Sequence, residues 1–217
     1  MKKTYLLFIL LQLSINCIAQ EIDSDLLYIK NRMDSIQEFS ADLELNLDVS
    51  FINMPTKHAS VLFKKDEELD FSSEDFVMLP KRGLDFSLSE LFKYPFITVD
   101  RSKKNINGTL TKVLNIIPTD DKADFALATV YLDIEHKRIH IAEINTKKLG
   151  SYTITMTYEN KEAILPDNVT VTFAMEKLKI PLNFMGRDTD IDRKKMRNLD
   201  TKEGKIMMKI SNYKITY

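Results

Sequence analysis

The chain has 217 residues, with 31 basic and 32 acidic side chains and a formal net charge of −1. Its 44% hydrophobic and 29% charged residues, 5 Gly, 6 Pro and no Trp are ordinary globular composition, which excludes a disordered, collagen-like or rod-like coiled-coil chain. Near-neutral charge argues against nucleic-acid binding, and one Cys with three His excludes disulfide frameworks and cysteine zinc sites.

The first residues read as an address. Lys2 and Lys3 are followed by the apolar run Leu6-Leu7-Phe8-Ile9-Leu10-Leu11 and a small-residue exit at Cys17-Ile18-Ala19. This is the layout of a secretory signal peptide (residues 1–20), with cleavage expected near Ala19-Gln20. The apolar run is shorter than the roughly 20 residues that a bilayer span needs. A rival reading makes Cys17 a lipid-bearing N-terminus, although Asn16 before it is a poor match to the small residue such sites carry. Residues 21–217 are expected to form a single domain that relies on its core alone, with the periplasm as its compartment.

Ile22, Leu26, Ile29, Met33 and Ile36 recur at helical spacing and predict a helix from about Asp23 to Gln37, capped by Asp23, Ser24 and Asp25. The period then changes to two. Leu43, Leu45, Leu47, Val49 and Phe51 alternate with polar residues, as do Val61 and Phe63, and Leu69 and Phe71. Ser87-Leu88-Ser89-Glu90 is a capping box for a short second helix that Pro95 stops. Asn107-Gly108 is a tight-turn signal. Strands are predicted at Leu110–Ile117, Asp124–Asp133 and Arg138–Asn145, then around Tyr152, Ile154, Met156 and Tyr158, and around Val169, Val171, Phe173 and Met175. Residues 183–204 read as a polar loop, and Lys205–Tyr217 as a final strand.

Strands with one wet face do not suit an α/β fold. The expected fold is mainly β: a curved antiparallel sheet or incomplete barrel of about nine to eleven strands, its concave face covered by an N-terminal helix and a short second helix.

The sequence contains no nucleophile elbow, phosphate loop or dinucleotide fingerprint, so no catalytic residue and no cofactor is expected. His136 and His140 fall in a turn and a strand, too far apart to share a metal, and read as exposed histidines. Asp188, Asp190 and Asp192 open like a calcium loop, but Arg193 replaces the Gly and Leu199 the Glu that such a loop needs. A solvated acidic loop fits better.

From Val113 onward the order of features resembles the periplasmic lipoprotein carrier superfamily, the LolA/LolB-like proteins. The resemblance is carried by Leu114-Asn115-Ile116-Ile117-Pro118, Ala128–Asp133, the turn at Glu135-His136-Lys137, Ile139–Ile144, Gly150 with Tyr152–Tyr158, Leu165-Pro166 and Val169–Phe173. Upstream, the helix ending Ile36-Gln37-Glu38-Phe39-Ser40-Ala41 and the segment Phe76–Pro80 also match. The family's lid-holding Arg is not matched, because Leu69-Asp70-Phe71 occupies that place, and the segment from Lys177 to Tyr217 is extra.

The resemblance implies a monomeric carrier or chaperone for the acyl chains of lipoproteins or lipids in outer-membrane lipoprotein sorting. Its implied partners are an inner-membrane transporter and an outer-membrane receptor. The hollow of the sheet should stay vacant for the guest. Its walls are expected at Leu45, Leu47, Val49, Val61, Phe63, Phe71, Met78, Tyr152, Ile154, Met156, Val171 and Phe173. Its lid is expected at Ile29, Met33 and Ile36 of the first helix and Leu88, Leu91 and Phe92 of the second. Two other readings stay open: a sensor module of the same fold that detects lipoproteins or lipids, and a structural or adhesive β domain with a filled core.

Overall fold

The structure, a computed structural model, describes residues 22–67, 69–75, 89–148, 150–176 and 188–217. The proposed leader, the capping-box residues Ser87 and Leu88, and Met78 lie outside them. Among the described residues no helix is long and apolar enough to cross a membrane.

Helix α1 spans Ser24–Asp34, shorter at its C-terminal end than the spacing predicted. Asp23 caps it, its carboxylate accepting from the amides of Asp25 (3.0 Å) and Leu26 (3.3 Å). Asp25 in the first turn and Arg32 in the last complement the helix dipole. Ser35 closes the helix through its amide to Asn31 O, so Ile36 lies beyond it, buried in the passage to the first strand.

The strands are β1 (Glu38–Val49), β2 (Ile52–Asn53), β3 (Lys57–Lys64), β4 (Asp70–Ser72), β5 (Phe96–Ile106), β6 (Thr109–Pro118), β7 (Phe125–Asp133), β8 (Arg138–Thr146), β9 (Gly150–Thr157), β10 (Asn168–Met175), β11 (Asp190–Ile191) and β12 (Lys202–Thr216). A short helix α2 (Ser89–Phe92) precedes β5, and α3 (Arg193–Asn198) precedes β12. All twelve strands belong to one antiparallel sheet that does not close. It runs β11-β2-β1-β12-β10-β9-β8-β7-β6-β5, and β3 also pairs with β1 and carries β4.

The architecture is the curved open sheet expected, with more strands. Two of the additions are two-residue pairings, β2 and β11, too short to leave a period in the sequence. β5 went unread because its centre, Asp100–Asn105, is polar on both faces. It is an edge strand, where polarity keeps unpaired backbone from recruiting other chains. Asn107 and Gly108 join it to β6, both with positive φ (48° and 89°), as the two-residue turn requires.

The segment 183–204 is not simply a loop. Within it lie β11, α3 and the start of β12. Asp192 caps α3 by accepting from the Lys195 amide at 2.8 Å. β12 is no appendage either. It lies between β1 and β10 and joins the N-terminal strands to the rest of the sheet.

Candidate functional site

Directly opposed residues of paired strands share a face. Followed across the sheet, the register gives the row Leu47, Ile206, Val171, Ile154, Ala142, Val130, Leu114. The next row is Val49, Gly204, Phe173, Tyr152, Ile144, Ala128, Ile116. On the other side lie Leu45, Met208, Val169 and Met156. Val61 and Phe63 of β3 stand opposite Ala41 and Phe39, and Phe71 opposite Val61. Eleven of the residues expected as walls therefore share one continuous apolar face; the twelfth, Met78, lies outside the described residues. Gly204 is required in this surface. A Cβ there would stand 2.5 Å from Val49 and 2.9 Å from the Phe173 ring.

One half of this face is sealed by α1. Leu26 and Ile29 are buried against a core that includes Leu114, Ile116, Val130, Leu132 and Ile154, with Leu91 of α2 buried beside them. Met33 and Phe92 pack on the same cluster. Of the expected lid residues, Ile29, Met33, Leu91 and Phe92 sit on helices, Ile36 does not, and Leu88 is not among the described residues. Among the described residues a pocket of about 30 Å³ lies under α1, lined by Ile29, Met33, Ile139, Met156, Tyr158 and Leu165 among others. That is room for about one water molecule. The hollow expected to be vacant is, beneath α1, filled by the protein's own side chains.

Polar contacts clasp α1 at both ends. At its start, the Asp23 amide donates to Thr98 Oγ1 (2.9 Å), and Lys112 Nζ lies 2.6 Å from Asp23 and 2.9 Å from Asp25. The hydrogen bond from Lys112 is the main cause that holds the Asp25 carboxyl below its ordinary value, against burial, which raises it. Burial lowers the Lys112 ammonium, but the two carboxylates outweigh it and the net shift is upward. At the other end Arg32 donates to the carbonyls of His136 (2.8 Å), Lys137 (3.1 Å) and Glu162 (2.8 Å). The sequence pointed to no lid-holding arginine in the strands; Arg32 on the helix itself makes these contacts.

The turn that receives Arg32 is tied together by Asp133. Asp133 is buried and accepts from the His136 amide (3.1 Å) and Arg138 Nε (3.2 Å), with His136 Nδ1 at 2.8 Å. Burial alone would raise the Asp133 carboxyl, but these hydrogen bonds outweigh it and the net shift is downward. Arg138 also stacks on Tyr158, 4.3 Å from its centroid, and burial pushes the Tyr158 phenol upward. His136 and His140 are thus not exposed histidines. Both are half-buried, His136 in the turn that Arg32 of α1 contacts and His140 within β8.

The other half of the face is less covered. Phe39, Leu43, Leu47, Phe63, Phe71, Met208 and Ile210 are only half-buried. Phe39 stacks on Phe63 at 5.1 Å between centroids and meets Tyr213 edge-on at 5.8 Å. At the other end of β3, facing the same side as Leu45, is Lys57, 1% exposed. Its ammonium lies 2.5 and 2.6 Å from the two carboxylate oxygens of Asp188. Sequence reading missed this pair, although Asp188 is exposed as the solvated-loop reading expects. One signal was available: Lys57 shares the parity of Ala59, Val61 and Phe63.

A second, shallow groove of about 440 Å³ opens at the end of β1, β12, β10 and β9, where the expected wall residues Tyr152 and Phe173 join Asp48, Ser50, Thr153, Thr172, Glu203 and Lys205 in its lining. Among the described residues no cluster of three or more His, Cys, Asp or Glu is placed to hold a metal ion.

No family model and no curated protein matches the sequence. Solved structures do match the fold. A protein domain from Vibrio parahaemolyticus named for outer membrane lipoprotein sorting aligns with a TM-score of 0.53 at 14% identity, over 88% of this chain and 92% of that one. A LolA superfamily protein from Nitrosomonas europaea aligns with a TM-score of 0.51 at 12% identity, over 88% and 94%. A DUF1329 family protein from Desulfovibrio piger gives 0.53 at 10% identity, over 88% and 92%. The chain shares the open half-barrel fold of these structures.

Proposed function

We propose that this protein is an exported carrier or chaperone for acyl chains, of lipoproteins or of free lipids, working in the periplasm after loss of residues 1–20. The observation that supports this reading is the continuous apolar inner face, whose β4-β3-β1-β12 portion is only half-covered. Apolar surface left partly open within a concave sheet is a ready seat for hydrocarbon. Each methylene removed from water contributes about 0.8 kcal/mol, so a sixteen-carbon chain gains on the order of 10 kcal/mol before the costs of binding.

The filled space beneath α1 makes the described conformation the closed one. Loading starts on the half-covered portion and reaches the sealed half when α1 lifts. Its polar clasps suit that movement, because hydrogen bonds and ion pairs near a surface exchange with water at little net cost. The wall residues act as contact surface and carry no chemistry. Within this reading, a transporter that delivers cargo and a receptor that accepts it are the partners, and the working form is a monomer.

The filled core also favours a second reading, a structural or adhesive β domain. Native mass spectrometry of protein purified from an expressing cell envelope separates the two. The carrier reading expects mass increments of one or more lipids that leave on collisional activation. A bare polypeptide mass, unchanged after incubation with palmitate or a lipidated peptide, favours the structural domain. The carrier reading also treats the protein as a binding protein with no turnover of its own.

A further inference from the structure

Among the lysines that the register places on the inner face are Lys112 and Lys57, and the fold accounts for the first. Lys112 holds α1 through two aspartates that belong to the helix start. Among the described residues Lys57 heads the fully buried side chains by size, yet its partner Asp188 is 55% exposed and 131 residues away in sequence. A buried ammonium needs an anion beside it, whereas an apolar side chain of the same shape would serve the core as well or better. A lysine kept at this position is therefore a demand for negative charge on an apolar wall.

Asp188 meets that demand. The hydrogen bond from Lys57 is the main cause holding its carboxyl below the ordinary value, against desolvation and, least of all, the charge of Asp75. Asp75 is itself fixed, accepting from the His58 amide at 2.7 Å. The Asp188 carboxylate is thus a water-facing anion, held by one cation and repelled by a neighbouring carboxylate. On the same face the half-buried Leu43, Leu47 and Met208 flank Leu45, which stands opposite Lys57, and Phe71 and Phe63 lie further along the strip.

We propose that Lys57 anchors the anionic headgroup, carboxylate or phosphate, of an amphiphile whose chain lies on this apolar strip, and that Asp188 is the internal stand-in which the headgroup displaces. The proposal rests on the acyl-carrier reading and names its substrate class. Planar carboxylate and tetrahedral phosphate oxygens both meet an ammonium at hydrogen-bond distance. Displacement exchanges one charge-assisted contact for another and returns Asp188 to water.

The test is calorimetric titration of the full chain and two variants with three probes below their micelle concentrations. The probes are palmitate, palmitoyl-lysophosphatidylglycerol and the uncharged monopalmitin. Lys57→Met keeps volume and removes charge; Asp188→Asn removes the stand-in. The expected results are tighter binding of anionic probes than of monopalmitin by wild type, about tenfold tightening of the anionic probes in Asp188→Asn with monopalmitin unchanged, and equal affinity for all three in Lys57→Met. Tightening confined to palmitate or to the lysophospholipid tells carboxylate from phosphate. An anionic preference that survives Lys57→Met overturns the proposal, even where Asp188→Asn does not fold. If monopalmitin and both anionic probes fail to bind any form, the acyl-carrier reading itself is what fails.

Discussion

The two halves of the inner face are built from the same kinds of residue and closed in different ways. Under α1, Leu26, Ile29, Leu114, Ile116 and Val130 are excluded from water, and the helix is fastened at both ends. Around β3, β1 and β12, Phe39, Phe63, Phe71 and Met208 are half-buried, and an inward lysine is held by an exposed aspartate. The lesson is that curvature makes a concavity, but a covering element decides whether it is core or site. The sealed half carries stability. The half-covered portion is where a guest can start.

The largest effect should come from the strand that joins the halves. Removing residues 202–217 takes away β12 and with it the pairing of both β1 and β10. Loss of the cooperative thermal transition in circular dichroism is expected. A truncated chain that still melts cooperatively would show that the halves are separate units.

A pair of substitutions sharpens the contrast itself. Leu26→Ala, under the helix, should cost about 2–5 kcal/mol in urea unfolding. Phe71→Ala, at the half-covered edge strand, should cost about 1 kcal/mol or less, yet weaken binding of an acyl fluorophore several-fold. Equal stability losses would mean that the two regions are one core.

Acid should loosen the sealed half. The net downward shift at Asp133 makes its stabilisation complete above the unfolded-state value of about 3.9 and lost as pH falls through the lower folded value. Asp133→Asn should therefore lower stability at neutral pH and flatten the acid limb below about pH 4, read as melting temperature against pH. The smallest change in stability is expected for Arg32→Gln, which frees the C-terminal clasp of α1. It should melt within a few degrees of wild type and take up an acyl fluorophore faster in stopped flow.

What could be read from the sequence follows from burial. β1 was legible because one face is wet and the other dry, which leaves strict alternation in Leu43, Leu45, Leu47 and Val49. β9 and β10 were legible for the same reason. β5 was not, because both of its faces meet water at the sheet edge, so Asp100–Asn105 carries no period. α3 was hidden by its length and its charged residues, Arg193, Lys194, Lys195 and Arg197, which give no apolar stripe. The short segments β2 and β11 exist only through pairing across the fold. Among the site residues, the parity of Val61 and Phe63 placed them on the face they occupy. Lys57 has the same parity, but its charge argued for solvent, and its partner 131 positions away could not be paired with it from one sequence. Nor could alternation tell whether the hollow is occupied, because apolar walls look alike whether a helix or a guest covers them.

The central claim is that hydrocarbon lies on the inner face, starting at β3 and β1. Photocross-linking of a palmitate that carries a diazirine at mid-chain, followed by peptide mapping, tests this most directly. The account predicts labelled peptides from residues 38–49, 57–64 and 202–210, with label spreading to the residues under α1 in Arg32→Gln. Label confined to the outer face, or spread evenly over the surface, would contradict it.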